Sequence, residues 1–167
     1  AGKFRTIEVL PRAADAHLRR LLNRFDGEAI RRRRIRVVLD CNNGAGAVLG
    51  PRFLRELGCD VVPLACDPTG EFVHPSEPTP ENIAGVCRAV KTARADIGFV
   101  QDADADRLAI IDERGRPLGE EMTLVWAASR VLEKTKVSIV CNMSSTRALD
   151  DLAARHGVKI FRTRIGE

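Results

Sequence analysis

The stretch VQDADADRLAII, residues 100–111, places aspartates at 102, 104 and 106 and an arginine at 107. Two carboxylates about 5 Å apart repel by roughly 3 kcal/mol at an effective dielectric of 20, so three in one loop need a positive partner. On a straight strand, residues i and i+2 lie about 7 Å apart. That is too far for one small cation with bonds of about 2.1 Å. On a helix, Asp102 and Asp106 share a face and Asp104 does not. Convergence on a single ion therefore requires a curled loop, which the small spacers Ala103 and Ala105 permit. Oxygen ligands with no adjacent Cys or His favour a hard cation such as magnesium. Arg107 cannot be a ligand, but its planar fork suits a phosphate or carboxylate beside the metal. A metal and an arginine facing one anion suit phosphoryl transfer.

Other readings compete. D-x-D-x-D also opens a calcium EF-hand loop, and Glu113 falls at its twelfth position. Arg107, however, occupies the sixth, where the sharp turn needs glycine, and the flanks read as strands. A strand ending in D-x-D also resembles the aspartyl-phosphate phosphatases, whose first aspartate attacks phosphate. Here two strand–helix units precede it, and the continuation lacks a hydroxyl residue. An acidic surface loop without an ion is the bland alternative. In VVLDCNNGAGAVLG (37–50) the third glycine of a G-x-G-x-x-G pattern comes one residue late, at Gly50. A tight strand-to-helix turn is the better reading, and no organic cofactor site is expected. His74 and His156 read as lone structural or exposed histidines, and Ser144 and Ser145 as helix caps.

The elements that must position these residues follow from periodicity. Apolar positions near 3.6 spacing predict a helix over 14–33, with Gly27 a possible interruption. RVVLD (36–40), CDVVPLA (59–65) and DIGFVQ (96–101) read as buried strands. Between them, one helix runs to Leu57 and closes at Gly58, and another covers 83–93. The Pro- and Gly-rich segment 67–82 must be loop. The strand in 107–117 follows after a short connection, so it is antiparallel to its predecessor. The expected fold is a layered α/β/α unit with a mixed, mainly parallel sheet. A second, similar unit then begins: helix 120–134, strand 137–142, helix 145–156 closed by Gly157, and strand 158–163.

Composition excludes several classes. With 44% apolar and 30% charged residues the 167-residue chain is globular rather than disordered. Five cysteines without a C-x-x-C pair indicate neither a disulfide framework nor a zinc ribbon, and fit a cytoplasmic protein. No apolar run approaches membrane-spanning length. The RRRR run at 31–34 invites a nucleic-acid reading, but with 4% aromatics and no tyrosine, stacking platforms are scarce. A solvated helix end is preferred, so neither nucleic acid nor membrane is an expected partner.

The succession VVLDCNNGAGAVLGPRFLRELGCDVVPL, EFVHPSEPTPENI and ADIGFVQDADADRLAIIDERG resembles the second domain of the α-D-phosphohexomutase family. The rest, to SSTRALDDLAARHGVKIFRTRIGE, resembles the start of its third domain. The family's D-G-D-G/A-D-R metal motif is matched in order by Asp102, Asp104, Asp106 and Arg107. The resemblance implies residues 1–10 as a linker, 11–117 as domain II and 118–167 as part of domain III. It implies an enzyme, such as a phosphomannomutase, phosphoglucomutase or phosphoglucosamine mutase, interconverting hexose 1-phosphate and 6-phosphate through a phosphoserine and a bisphosphorylated sugar. The three aspartates would hold Mg2+, and Arg107 would steady the phosphate. Expected partners are a phosphorylated hexose and the family's other domains, which carry the nucleophile serine, so the chain alone is not expected to isomerise sugars. Which hexose is used, and the oligomeric state, stay open. An aspartyl-phosphate phosphatase and a non-catalytic sugar-phosphate-binding module remain the alternatives. One departure is Ala103, where the family usually has glycine; a left-handed backbone there would cost alanine about 1–2 kcal/mol.

Overall fold

The computed structural model describes residues 12–119 and 121–165, so the linker expected over 1–10 lies outside it. Four short apolar runs form one sheet: β1 (Arg36–Asp40), β2 (Asp60–Leu64), β3 (Ile97–Gln101) and β4 (Leu108–Asp112). Their order is β2-β1-β3-β4. β1 runs parallel to both β2 and β3, whereas β4 is antiparallel to β3, pairing Gln101 with Leu108. The connection of six residues is too short for a parallel crossover, which needs a dozen or more.

Alternation along the strands divides the core between two faces. On one, Val38, Val100, Ala109 and Ile111 pack with Ile83, Val86 and Val90 at and along α4 (Ala84–Ala93). Gly98 makes that approach possible, because a Cβ there would stand 2.6 Å from Val90 Cγ2. On the other face, Leu39, Cys41 and Phe99 pack with Ala47 and Leu54 of α3 (Gly46–Glu56). These faces make the α/β/α layering. Outside α3 lies α1 (Ala13–Leu22), with Asp15 taking a 2.6 Å ion pair from Arg52.

The single helix expected over 14–33 is two helices. The break falls at Asn23–Asp26, and α2 (Gly27–Arg33) starts at the glycine expected to interrupt. Asp26 explains this, since its carboxylate accepts from Ala29 N at 2.9 Å as an N-cap. Arg31–Arg33 form the last turn of α2 and Arg34 caps it in the left-handed region, so the arginine run is a helix end.

After β4 the chain turns back, and Leu118 N donates to Ile110 O. A second core follows, in which Val125 and Leu132 of α5 (Glu121–Leu132) meet Cys141 of β5 (Ile139–Asn142) and Leu149 and Leu152 of α6 (Ala148–His156). β6 (Ile160–Thr163) pairs parallel with β5. The Thr123 hydroxyl donates to Leu108 O at 2.6 Å, fastening α5 beside the loop between β3 and β4.

Candidate metal centre

Asp102 leaves the end of β3 buried, while Asp104 and Asp106 are exposed. The loop curls because Ala105 N donates to Asp102 O (3.2 Å) and Arg107 N to Asp102 Oδ1 (3.1 Å). One carboxylate oxygen from each of Asp102, Asp104 and Asp106 then lies within 4.8 Å of the other two. Among the described residues this is the one cluster of His, Cys, Asp or Glu side chains so arranged. The left-handed residue of the loop is Ala105, with φ of 64°, not Ala103. The strain expected at Ala103 therefore falls two residues later.

Ala103 has a different task. Its carbonyl accepts from Ala45 N at 2.9 Å, so the loop rests on the CNNGAG turn. Gly44 makes room for that contact, since a Cβ there would collide with the Ala103 carbonyl. The turn is thus a strand-to-helix connection, as its spacing suggested, and also the abutment of the aspartate loop. Glycines at 44 and 46 in so short a turn were the available signal; their partner, 59 residues away for Gly44, was not.

Electrostatics follow the geometry. The Asp106 carboxyl is pushed above the usual carboxylate value of 3.8 by its hydrogen bond with Asp102, then by the Asp104 charge, against a smaller opposing pull from Arg107. Arg107 neutralises the cluster poorly. Its Nε stands 3.8 Å from Asp102 and 3.9 Å from Asp106, beyond hydrogen-bond range. Nη1 instead meets Glu77 at 3.3 Å, and half of the side chain is exposed. Asp106 and Arg107 line a cleft of about 500 Å³ whose far side is Glu121, Thr123, Leu124 and Ala127 of α5.

Two expectations are corrected nearby. His74 has a partner, because Nε2 lies 3.3 Å from buried Asp40 while Nδ1 donates to Pro75 O at 2.8 Å. Asn42 clamps the same segment, accepting from Val73 N and donating to His74 O. The loop that carries Glu77 is thereby fixed against β1. Ser144 and Ser145 do not cap α6. Their hydroxyls donate to Asn142 Oδ1 at 2.8 and 3.0 Å, and Thr146 accepts from Ala148 N in their place.

Residues 15–115 match the family model described as "Phosphoglucomutase/phosphomannomutase, alpha/beta/alpha domain II". The chain belongs to this family. It is 41% identical over 168 residues to "Phosphoglucomutase/phosphomannomutase" of Thermococcus kodakarensis, covering 99% of this chain and 36% of that protein. It is 33% identical to "Probable phosphoglucosamine mutase" of Methanopyrus kandleri, over 93% of this chain and 34% of that one. Among solved structures, a phosphoglucomutase/phosphomannomutase family protein from Burkholderia thailandensis superposes with a TM-score of 0.79 at 29% identity, covering 92% and 33% of the two chains. The chain spans about a third of the length of these relatives. Among the described residues no helix is long and apolar enough to cross a membrane.

Proposed function

We propose that this chain is the metal-holding part of a phosphohexomutase, which moves a phosphoryl group between O1 and O6 of a hexose by way of a phosphoserine. Residues 11–117 are the metal-binding domain and 118–167 the beginning of the next, in keeping with two separate apolar cores. The observation that carries the reading is three aspartate oxygens within 4.8 Å, beside an arginine whose guanidinium none of them binds closely.

The donor set fits a hard divalent cation, since it holds only carboxylate oxygens. The three carboxylates already converge to within 4.8 Å of one another, so a small cation would need only a modest contraction of the loop to be held by all three. Asp102, Asp104 and Asp106 would hold Mg2+, which when bound neutralises charge on the transferred phosphoryl group. Arg107 turns from Glu77 to grip phosphate oxygens at the mouth of the cleft, donating two N–H groups in parallel. Asp102 is held as a ligand, with Oδ1 engaged by Arg107 N.

Calorimetry tests the proposal. Magnesium should bind one site, tighten at least about tenfold with a phosphoserine peptide present, and lose that gain in Arg107→Ala. No binding with or without the peptide would overturn it. An acid-stable but hydroxylamine-sensitive phosphoenzyme that Asp102→Asn abolishes would replace it with the phosphatase reading.

A further inference from the structure

The metal centre uses none of the five cysteines, yet two of them meet beneath it. Cys41 follows β1 directly, and Cys66 lies two residues beyond β2. The strands pair in parallel up to Asp40 with Leu64, and Cys41 N continues the ladder to Leu64 O at 3.3 Å. Ala65 then takes a left-handed turn (φ 44°), which folds Cys66 back toward β1. The Cys66 sulfur reaches Leu64 O at 3.1 Å and Leu39 O at 3.6 Å, the latter on β1 itself. Both side chains belong to the apolar cluster of Leu39 and Ala47 and lie within mutual hydrogen-bonding reach. The two differ in exposure: Cys41 is fully buried and Cys66 half-buried.

We propose that Cys41 and Cys66 are a peroxide-sensitive thiol pair that closes to a reversible disulfide across the ends of β1 and β2. The two residues extend adjacent, directly paired strands, and the left-handed turn at Ala65 folds Cys66 onto the β1 side, the neighbourhood a disulfide across two strand ends requires. The roles are unequal. Cys41 is fully buried, donates its proton to Gln101 Oε1 at 3.3 Å, and is raised by the neighbouring Cys66 sulfur and by burial, whereas the half-buried Cys66 is lowered by the Cys41 sulfur beside it. Cys66 is therefore the attacking thiolate. Its sulfur displaces hydroxide from hydrogen peroxide, which takes up the thiol proton as water and leaves Cys66 as a sulfenic acid. Cys41 sulfur then attacks Cys66 sulfur, its proton leaving with the sulfenic hydroxyl as a second water. Two thiols are oxidised, one peroxide is reduced, and a thiol reductant reverses the bond. Cys59 and Cys87 lie elsewhere, and burial is the chief cause that raises both of their thiols.

The experiment is peroxide titration of the chain, followed by alkylation in denaturant and peptide mapping. Free thiols should fall from five to three, with residues 41 and 66 joined, about tenfold faster than loss of Cys59 or Cys87. Dithiothreitol should restore all five. In Cys41→Ser a sulfenic acid at Cys66 should be trapped by dimedone, and in Cys66→Ser the buried Cys41 should stay reduced at the same dose. Retention of five thiols, another pairing, or uniform oxidation of all cysteines would overturn the proposal. The mapping of the unsubstituted chain decides this whether or not the serine variants fold.

Discussion

Gly44→Ala tests whether the aspartate loop is set by its abutment. A Cβ at position 44 would stand 2.9 Å from Ala103 C and 3.0 Å from Ala103 Cα, and closer still to the carbonyl oxygen. These are backbone atoms that no rotamer change can move aside, so the loop must retreat by about an ångström or more before the carbonyl oxygen reaches ordinary contact. Retreat breaks the bond from Ala45 N to Ala103 O, costing about 1 kcal/mol. Forced overpacking adds about 1–3 kcal/mol, for a total of about 2–4 kcal/mol. With a urea m-value of about 2 kcal/mol/M, the unfolding midpoint falls by about 1–2 M, read by far-UV circular dichroism. Magnesium affinity should fall with it, because the displaced loop carries Asp102 and Asp104. Gly85→Ala is the control: it sits in α4 with its nearest outside atom, Arg88 Nη2, at 3.9 Å, and should stabilise by about 0.5–1 kcal/mol. If Gly44→Ala costs less than about 0.5 kcal/mol and binds magnesium normally, the abutment argument fails.

Two further outcomes bear on the same loop. Ala105→Gly should raise stability by about 0.5–1 kcal/mol, left-handed strain outweighing glycine's entropy, whereas Ala103→Gly should lower it slightly; thermal melts of both variants that moved together would contradict the assignment. Because the Asp106 carboxyl is raised, the metal-free chain carries that group's contribution to stability below the ordinary value near 3.8 and loses it as pH climbs through the raised value. Magnesium competes with the same proton, so its affinity should weaken on acidification through that window. Asp106→Asn should flatten both trends, in denaturation curves and in calorimetry.

The strands were legible because each is a short β-branched run between turn residues, and the antiparallel turn of β4 because six residues cannot form a crossover. The aspartates were legible because alternate spacing on a straight strand is incompatible with one ion. What escaped was long-range. Which alanine turns left-handed depends on where Ala103 meets Gly44, and His74 found Asp40 across 34 residues of sequence. Glu77, which holds Arg107, sits in a Pro-rich loop with nothing local to mark it. The break before Gly27 was missed for a local reason, since Asp26 is a competent N-cap inside an otherwise periodic stretch.

The bond from Thr123 to Leu108 divides the centre mechanically. Asp102 and Ala103 are seated on the sheet and on the glycine turn, a stationary jaw. Arg107 adjoins a residue fastened to α5, so any rotation of that helix acts on the guanidinium through a lever one residue long. On the proposed function, movement of the second unit would act first on Asp106 and Arg107 and last on the buried Asp102, so the phosphate grip and one of the three proposed ligands would follow the posture of the neighbouring unit.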